Sequence, residues 1–124
     1  MNDRFEDTEG LYRAVIPKDI FVKNDGSISS AAFKSSTGCS VDRGAGRTDE
    51  EAARFLRNKL QGNVYGFKVK DCNDKDIFIR YEPIEDPVEL ADPYHCGLYK
   101  NANLEKMTAG QCKYLSMVAC LVLV

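Results

Sequence analysis

The sequence predicts an α+β fold, a mostly antiparallel sheet of about 4–5 strands with two main helices packed on one face. Three observations lead there. Segments 11–16, 64–70 and 77–81 carry apolar residues at alternate positions, the mark of strands with two distinct faces. Two other stretches each open with a threonine followed three residues later by Glu or Gln, and then place apolar residues at helical spacing. Strands and helices also fail to alternate in the regular order that a parallel βαβ sheet requires.

Residues 1–10 contain Asp3, Glu6, Asp7 and Glu9 and are expected to form a flexible acidic tail, leaving 11–124 as a single domain. Segment 11–16 is a strand that ends at Pro17, which has no N–H for a ladder. Asn24-Asp25-Gly26 marks a turn. The small residues of 28–33 leave strand and helical turn equally open. A loop at 35–38 leads to a short segment, 39–42, before Gly44-Ala45-Gly46 interrupts the chain. Thr48 and Glu51 then form a capping box, and Ala52, Phe55, Leu56 and Leu60 fall on one stripe of a helix closed by Gly62. Strands 64–70 and 77–81 are joined by the Asp-rich stretch 71–76, so they read as an antiparallel hairpin. Residues 82–92 hold Pro83, Pro87 and five acids without a base, and read as an exposed loop. A further strand at 94–100 follows. Thr108 and Gln111 open a terminal helix whose stripe runs through Met107, Tyr114, Leu115, Val118, Leu121 and Val122. Phe55, Leu56, Tyr114, Leu115 and Val118 are the expected core of the helix–sheet contact.

Composition excludes more than it selects. With 124 residues, 44% hydrophobic, and a net charge of −2, the chain is neither globally disordered nor a bulk-basic nucleic-acid binder, and double-stranded nucleic acid is not an expected partner. The longest apolar run, 117–124, falls far short of the roughly 20 residues that span a bilayer, so no membrane association is expected. Five cysteines without CxxC spacing, behind an acidic N-terminus unlike a signal peptide, point to reduced thiols in the cytoplasm, with no metal and no cofactor. Charge is uneven along the chain. Residues 43–70 carry seven bases against three acids, whereas 71–92 carry eight acids against two bases, a polarity suited to steering a charged partner.

The chemistry-bearing residues are few. His95, the only histidine, is the natural acid/base group, with Ser29 and Ser30 as hydroxyls that the fold could bring beside it. Arg13 lies among apolar neighbours in the first strand, where it would grip a carboxylate of a ligand or of the domain itself. Arg43 and Arg47 flank the glycine loop before the first helix, a place where backbone N–H groups and guanidinium groups can hold an anion. Asp49, Glu50 and Glu51 in the first turn of that helix oppose an anion, so the two arginines are expected to lie exposed, away from the 82–92 loop. Cys39 sits in a small-residue loop but needs a base or a positive field to become a nucleophile.

The ordered signals Leu11-Tyr12-Arg13, Ser29-Ser30-Ala31-Ala32-Phe33, Ser40-Val41-Asp42-Arg43 and Pro93-Tyr94-His95 resemble a pattern of small uncharacterised bacterial or phage-borne proteins, a resemblance that implies no activity. The Tyr-Arg start and the Ser-Ser pair are also similar to ADP-ribosyltransferase-like folds, without a motif that places their glutamate. Two functions follow as expectations. The first is a cytosolic binding or accessory module, phage- or defence-associated, acting through a protein or nucleotide partner. The second is a small enzyme for a phosphate-bearing or nucleotide ligand, with His95 moving a proton and Arg13, Arg43 and Arg47 clamping the anion. They differ in geometry: the enzyme requires His95, Arg13 and one of the two loop arginines around a common point.

Overall fold

A computed structural model describes residues Met1–Val124. In chain order the elements are β1 (Gly10–Val15), a 3-10 turn (Ser30–Phe33), β2 (Cys39–Arg43), α1 (Asp49–Lys59), β3 (Asn63–Lys68), α2 (Val69–Asn73), β4 (Phe78–Tyr81), a second 3-10 turn (Val88–Leu90), β5 (His95–Tyr99), α3 (Ala109–Val118) and β6 (Cys120–Leu123). The fold is α+β: one antiparallel sheet of six strands, ordered β4-β5-β2-β1-β3-β6, with three α-helices.

The alternation of β1 divides the core in two. Leu11 and Val15 face a large cluster that includes Phe33, Phe67, Cys112 and Leu115, under α3 and the first 3-10 turn. Tyr12 faces the other way, into a smaller cluster with Ala52, Ala53, Leu56 and Val64 under α1. The two main helices therefore cover opposite faces, not one. A sheet that is apolar on both sides must be covered on both, and each helix supplies one layer.

Both capping boxes form as the sequence indicates. Thr48 accepts from Glu51 N–H at 3.1 Å and Thr108 from Gln111 N–H at 3.1 Å, and each partner's side chain returns the bond. Gly62, at φ +122°, is needed for a close approach: a Cβ there would lie 2.6 Å from the Val15 carbonyl oxygen.

Two expectations about connectivity are corrected. Strands β3 and β4 make no hairpin. The chain leaves β3 directly into α2, because Val69 and Cys72, three apart, are both needed in the core, and the Asp71 carboxylate accepts from the Lys68 N–H at 2.9 Å to start the turn. β4 then pairs with β5 at the far edge. The apolar C-terminal run is also not helical throughout. Helix α3 stops at Val118, and Cys120–Leu123 adds to β3, with Leu121 opposite Tyr65 and Cys120 opposite Gly66. Leu and Val alternate as readily along a strand as along a helix, and the otherwise open edge of β3 supplies backbone partners.

Leu56 and Leu115 are buried, as expected, but Phe55, Tyr114 and Val118 are only half-buried. Residues read as a flexible tail make specific contacts: the Phe5 ring centroid lies 4.1 Å from the Arg43 guanidinium carbon, Val69 N–H donates to the Glu9 carbonyl at 3.0 Å, and Asn73 Nδ2 donates to Asp7 at 2.8 Å. All five cysteines are unpaired. No helix is long and apolar enough to cross a membrane.

Candidate functional site

The site rests on strand parity. On β2, Cys39 and Val41 turn toward the larger core cluster, so Ser40 and Asp42 turn toward the α1 side. Asp42 is directly opposite His95 on β5, and residues directly opposite in an antiparallel pair share a face. Asp42 and His95 thus stand side by side over the sheet. Helix α1 supplies one wall through Leu56 and Lys59, continued by Leu60. The 82–92 loop supplies the other through Ile84, Leu90 and Asp92, and together they enclose a cleft of about 220 Å³. That loop is not free chain. Ile84 and Asp92 form a two-way backbone bridge at 2.9 and 2.8 Å, which folds the loop back over β5.

Two carboxyl groups are buried in this cleft. Asp42 is 1% exposed and Asp92 5%. Asp92 has a structural duty, accepting from the Tyr94 N–H at 2.9 Å. Neither oxygen of Asp42 receives a hydrogen bond from any N–H or O–H of the chain. The Asp92 carboxyl meets it, and two carboxyls join only when one carries a proton. Burial, followed by the hydrogen bond and charge of Asp92, pushes Asp42 well above the usual carboxylate range, while Arg47 and Lys59 pull in the opposite direction without prevailing. Burial of both groups side by side favours a proton shared between them.

His95 has its orientation fixed. Its Nδ1 lies 2.7 Å from the Glu82 carbonyl oxygen, and a carbonyl can only accept, so Nδ1 carries hydrogen and Nε2 holds the lone pair of the neutral ring. The Glu82 carboxylate is itself held by the Tyr99 hydroxyl at 2.6 Å.

The arginines do not converge on this point. Arg13 borders the cleft where β1 and β2 part after a ladder of two residue pairs, but its guanidinium donates to the carbonyls of Ala32 and Ser40, each at 2.7 Å. Arg43, expected to be exposed, is 5% exposed and lies on the opposite face of the sheet from Asp42, its neighbour in sequence. It grips Glu9 through Nε at 2.7 Å and Nη2 at 2.8 Å, and donates to the carbonyls of Arg4 and Asn2. The glycine loop does hold an anion, but the anion is internal: Ala45 N–H donates to Glu9 at 3.0 Å. Burial raises Glu9, yet the Arg43 and Ala45 bonds and the Arg43 charge outweigh it and hold the carboxyl below its ordinary value. Arg47 is half-buried rather than exposed. Its guanidinium stacks 3.5 Å from the Tyr94 ring centroid and donates to the Arg43 and Gly44 carbonyls.

The remaining expected residues fall elsewhere. Ser29 donates to the Ile20 carbonyl at 2.6 Å, Ser30 begins the first 3-10 turn, and neither lines the cleft. Cys39 is 1% exposed with its thiol pushed up to about 11, chiefly by burial, so it supplies no thiolate at neutral pH. A larger recess of about 500 Å³ lies between Lys34, Ser35 and Ser36 and the start of α3, but its polar side chains are mostly exposed and none is buried without a partner. Sequence reasoning missed Asp42, Asp92, Lys59 and Ser40 as cleft residues. The meeting of Ser40 and Asp42 with His95 depends on the β2–β5 pairing, which no local pattern records.

No protein-family model matches the chain, and no curated protein or solved structure is similar to it at a significant level.

Proposed function

We propose that the protein is a binding module acting in the cytoplasm through a protein or nucleotide partner, and that the partner engages the cleft beneath residues 82–92. One observation carries the reading: Asp42, a buried carboxyl with no donor from its own chain, lines a cleft walled by leucines and isoleucine. A polar group left in this state costs stability, which is sensible where a ligand completes it. The engagement of Arg13 and Arg43 with internal acceptors supports binding over phosphate chemistry, because no guanidinium is left free beside His95.

A second reading has one observation in its favour: His95 shares the cleft with a proton-holding carboxyl pair, which is equipment for acid–base catalysis. An anion clamp has no part in it.

The test is a panel of mononucleotides and capped tripeptides added to isotope-labelled protein, with backbone amide shifts followed residue by residue. Binders are expected to perturb 84–95 and the end of α1, and Leu60→Trp, which fills the cleft from an exposed wall position, is expected to abolish the effect. Perturbations centred elsewhere, no perturbation by any member of the panel, or binding unchanged by Leu60→Trp would overturn the reading.

A further inference from the structure

We propose that the group taken into this cleft is an organic cation, a guanidinium or primary ammonium on an apolar stem, and that its binding expels the proton held between Asp42 and Asp92. The inference rests on the reading of the cleft as the binding site and names what the cleft recognises.

Three features point to this chemistry. The floor carries two carboxyls that can share only one negative charge while a proton stays between them, so a positive head group gains a full second charge by displacing that proton. Neither Asp42 oxygen has an internal donor, whereas a guanidinium presents several N–H groups in a plane that matches carboxylate oxygens. The walls are Leu56, Leu60, Ile84 and Leu90, which suit the hydrocarbon stem of such a group. No set of three or more metal-ligating side chains converges anywhere in the chain, so two carboxyls with apolar walls fit a cation that is held by hydrogen bonds and packing.

The chain's own cations leave the place open. Lys59 at the wall forms no ion pair, and its Nζ lies 5.4 Å from the Phe55 ring centroid. Arg47 is held on Tyr94, and Arg13 on two carbonyls. The groups facing Asp42 are thus Asp92 from the loop, His95 from β5, Lys59 from α1 and Arg47 from the segment before α1. His95 lines the same cleft, and its contribution is separated by substitution.

The probes are n-butylguanidinium and its neutral isostere n-butylurea, and the capped peptides acetyl-Gly-Arg-Gly-amide and acetyl-Gly-citrulline-Gly-amide, titrated calorimetrically at pH 6 and pH 8 in buffers of different ionisation enthalpy. The guanidinium probes are expected to bind and the neutral ones not to. Affinity should rise by up to about tenfold per pH unit, with close to one proton released, the linkage for a single displaced proton. This rise should persist in His95→Gln, and Asp42→Asn should weaken binding at least tenfold. Binding of both guanidinium probes identifies a protein side chain as a sufficient source, and binding of butylguanidinium alone identifies a free small molecule; either supports the proposal. Equal binding of charged and neutral probes, no proton release, or an unaffected Asp42→Asn would overturn it. If nucleotides perturb the cleft while the cations do not, this inference fails and the binding-module reading stands.

Discussion

Asp42 and Arg43 are adjacent in β2 and both are buried, yet they lie in opposite chemical situations. Arg43 faces a complete acceptor set: both Glu9 oxygens and two carbonyls, with the Phe5 ring against its plane. Asp42, one residue earlier and on the other face of the sheet, faces a second carboxyl and no donor. The same strand therefore carries one buried polar group that the fold has satisfied and one that it has not. The satisfied pair fastens the N-terminal segment to the sheet and has no capacity left for a ligand. The unsatisfied pair adjoins a cleft and is where a ligand's donors are missing.

The largest expected effect tests the first half of this contrast. Arg43→Met strands Glu9 in a partly buried place and should cost about 3–5 kcal/mol, the usual penalty for breaking a buried ion pair by removing one partner. Asp42→Asn, read by the same urea unfolding, should change stability by less than about 1 kcal/mol or increase it, because it removes a titratable group whose charged form burial disfavours and no N–H of the chain loses an acceptor. If the two substitutions cost the same, the contrast fails.

A second comparison concerns the apolar layers. Leu115→Ala, fully buried under α3, should cost about 2–5 kcal/mol. Leu121→Ala, half exposed on the edge strand β6, should stay within about 0.5 kcal/mol. A large loss at Leu121 would mean that the edge of β6 carries more of the fold than its exposure indicates.

A further comparison lies in the pH dependence of stability. Asp42 binds its proton more tightly in the folded chain than in the unfolded one, so its contribution to stability is full below the ordinary aspartate range and is lost as pH rises toward about 9. Relative to Asp42→Asn, the wild type should lose stability steadily between pH 5 and pH 9, with a slope of at most about 1.4 kcal/mol per pH unit. Parallel pH profiles for the two proteins would show that the pair holds no extra proton.

What could be read from the sequence follows from how local the signal is. The capping boxes at Thr48 and Thr108, the alternation of 11–16 and the break at 44–46 depend on residues a few positions apart, and each appears in the fold. The hairpin between β3 and β4 and the long terminal helix were misread because a Leu-Val run and an Asp-rich connection are compatible with more than one partner, and the choice is made by distant strands. The site shows the same division. His95 is identifiable as the only histidine. The meeting of Asp42 with Asp92, however, depends on β2 pairing with β5 and on the Ile84–Asp92 bridge, long-range events that no short motif records.

The most direct test of the central claim is the titration of the carboxyl carbons of Asp42 and Asp92, followed by carbon-detected NMR in the absence of ligand. The structure predicts that one ionisation of the pair occurs far above the ordinary aspartate range, so that at pH 7 the two groups together hold one proton. Two ionisations both completed below pH 5 would show that Asp42 and Asp92 are separately satisfied, and would contradict the account.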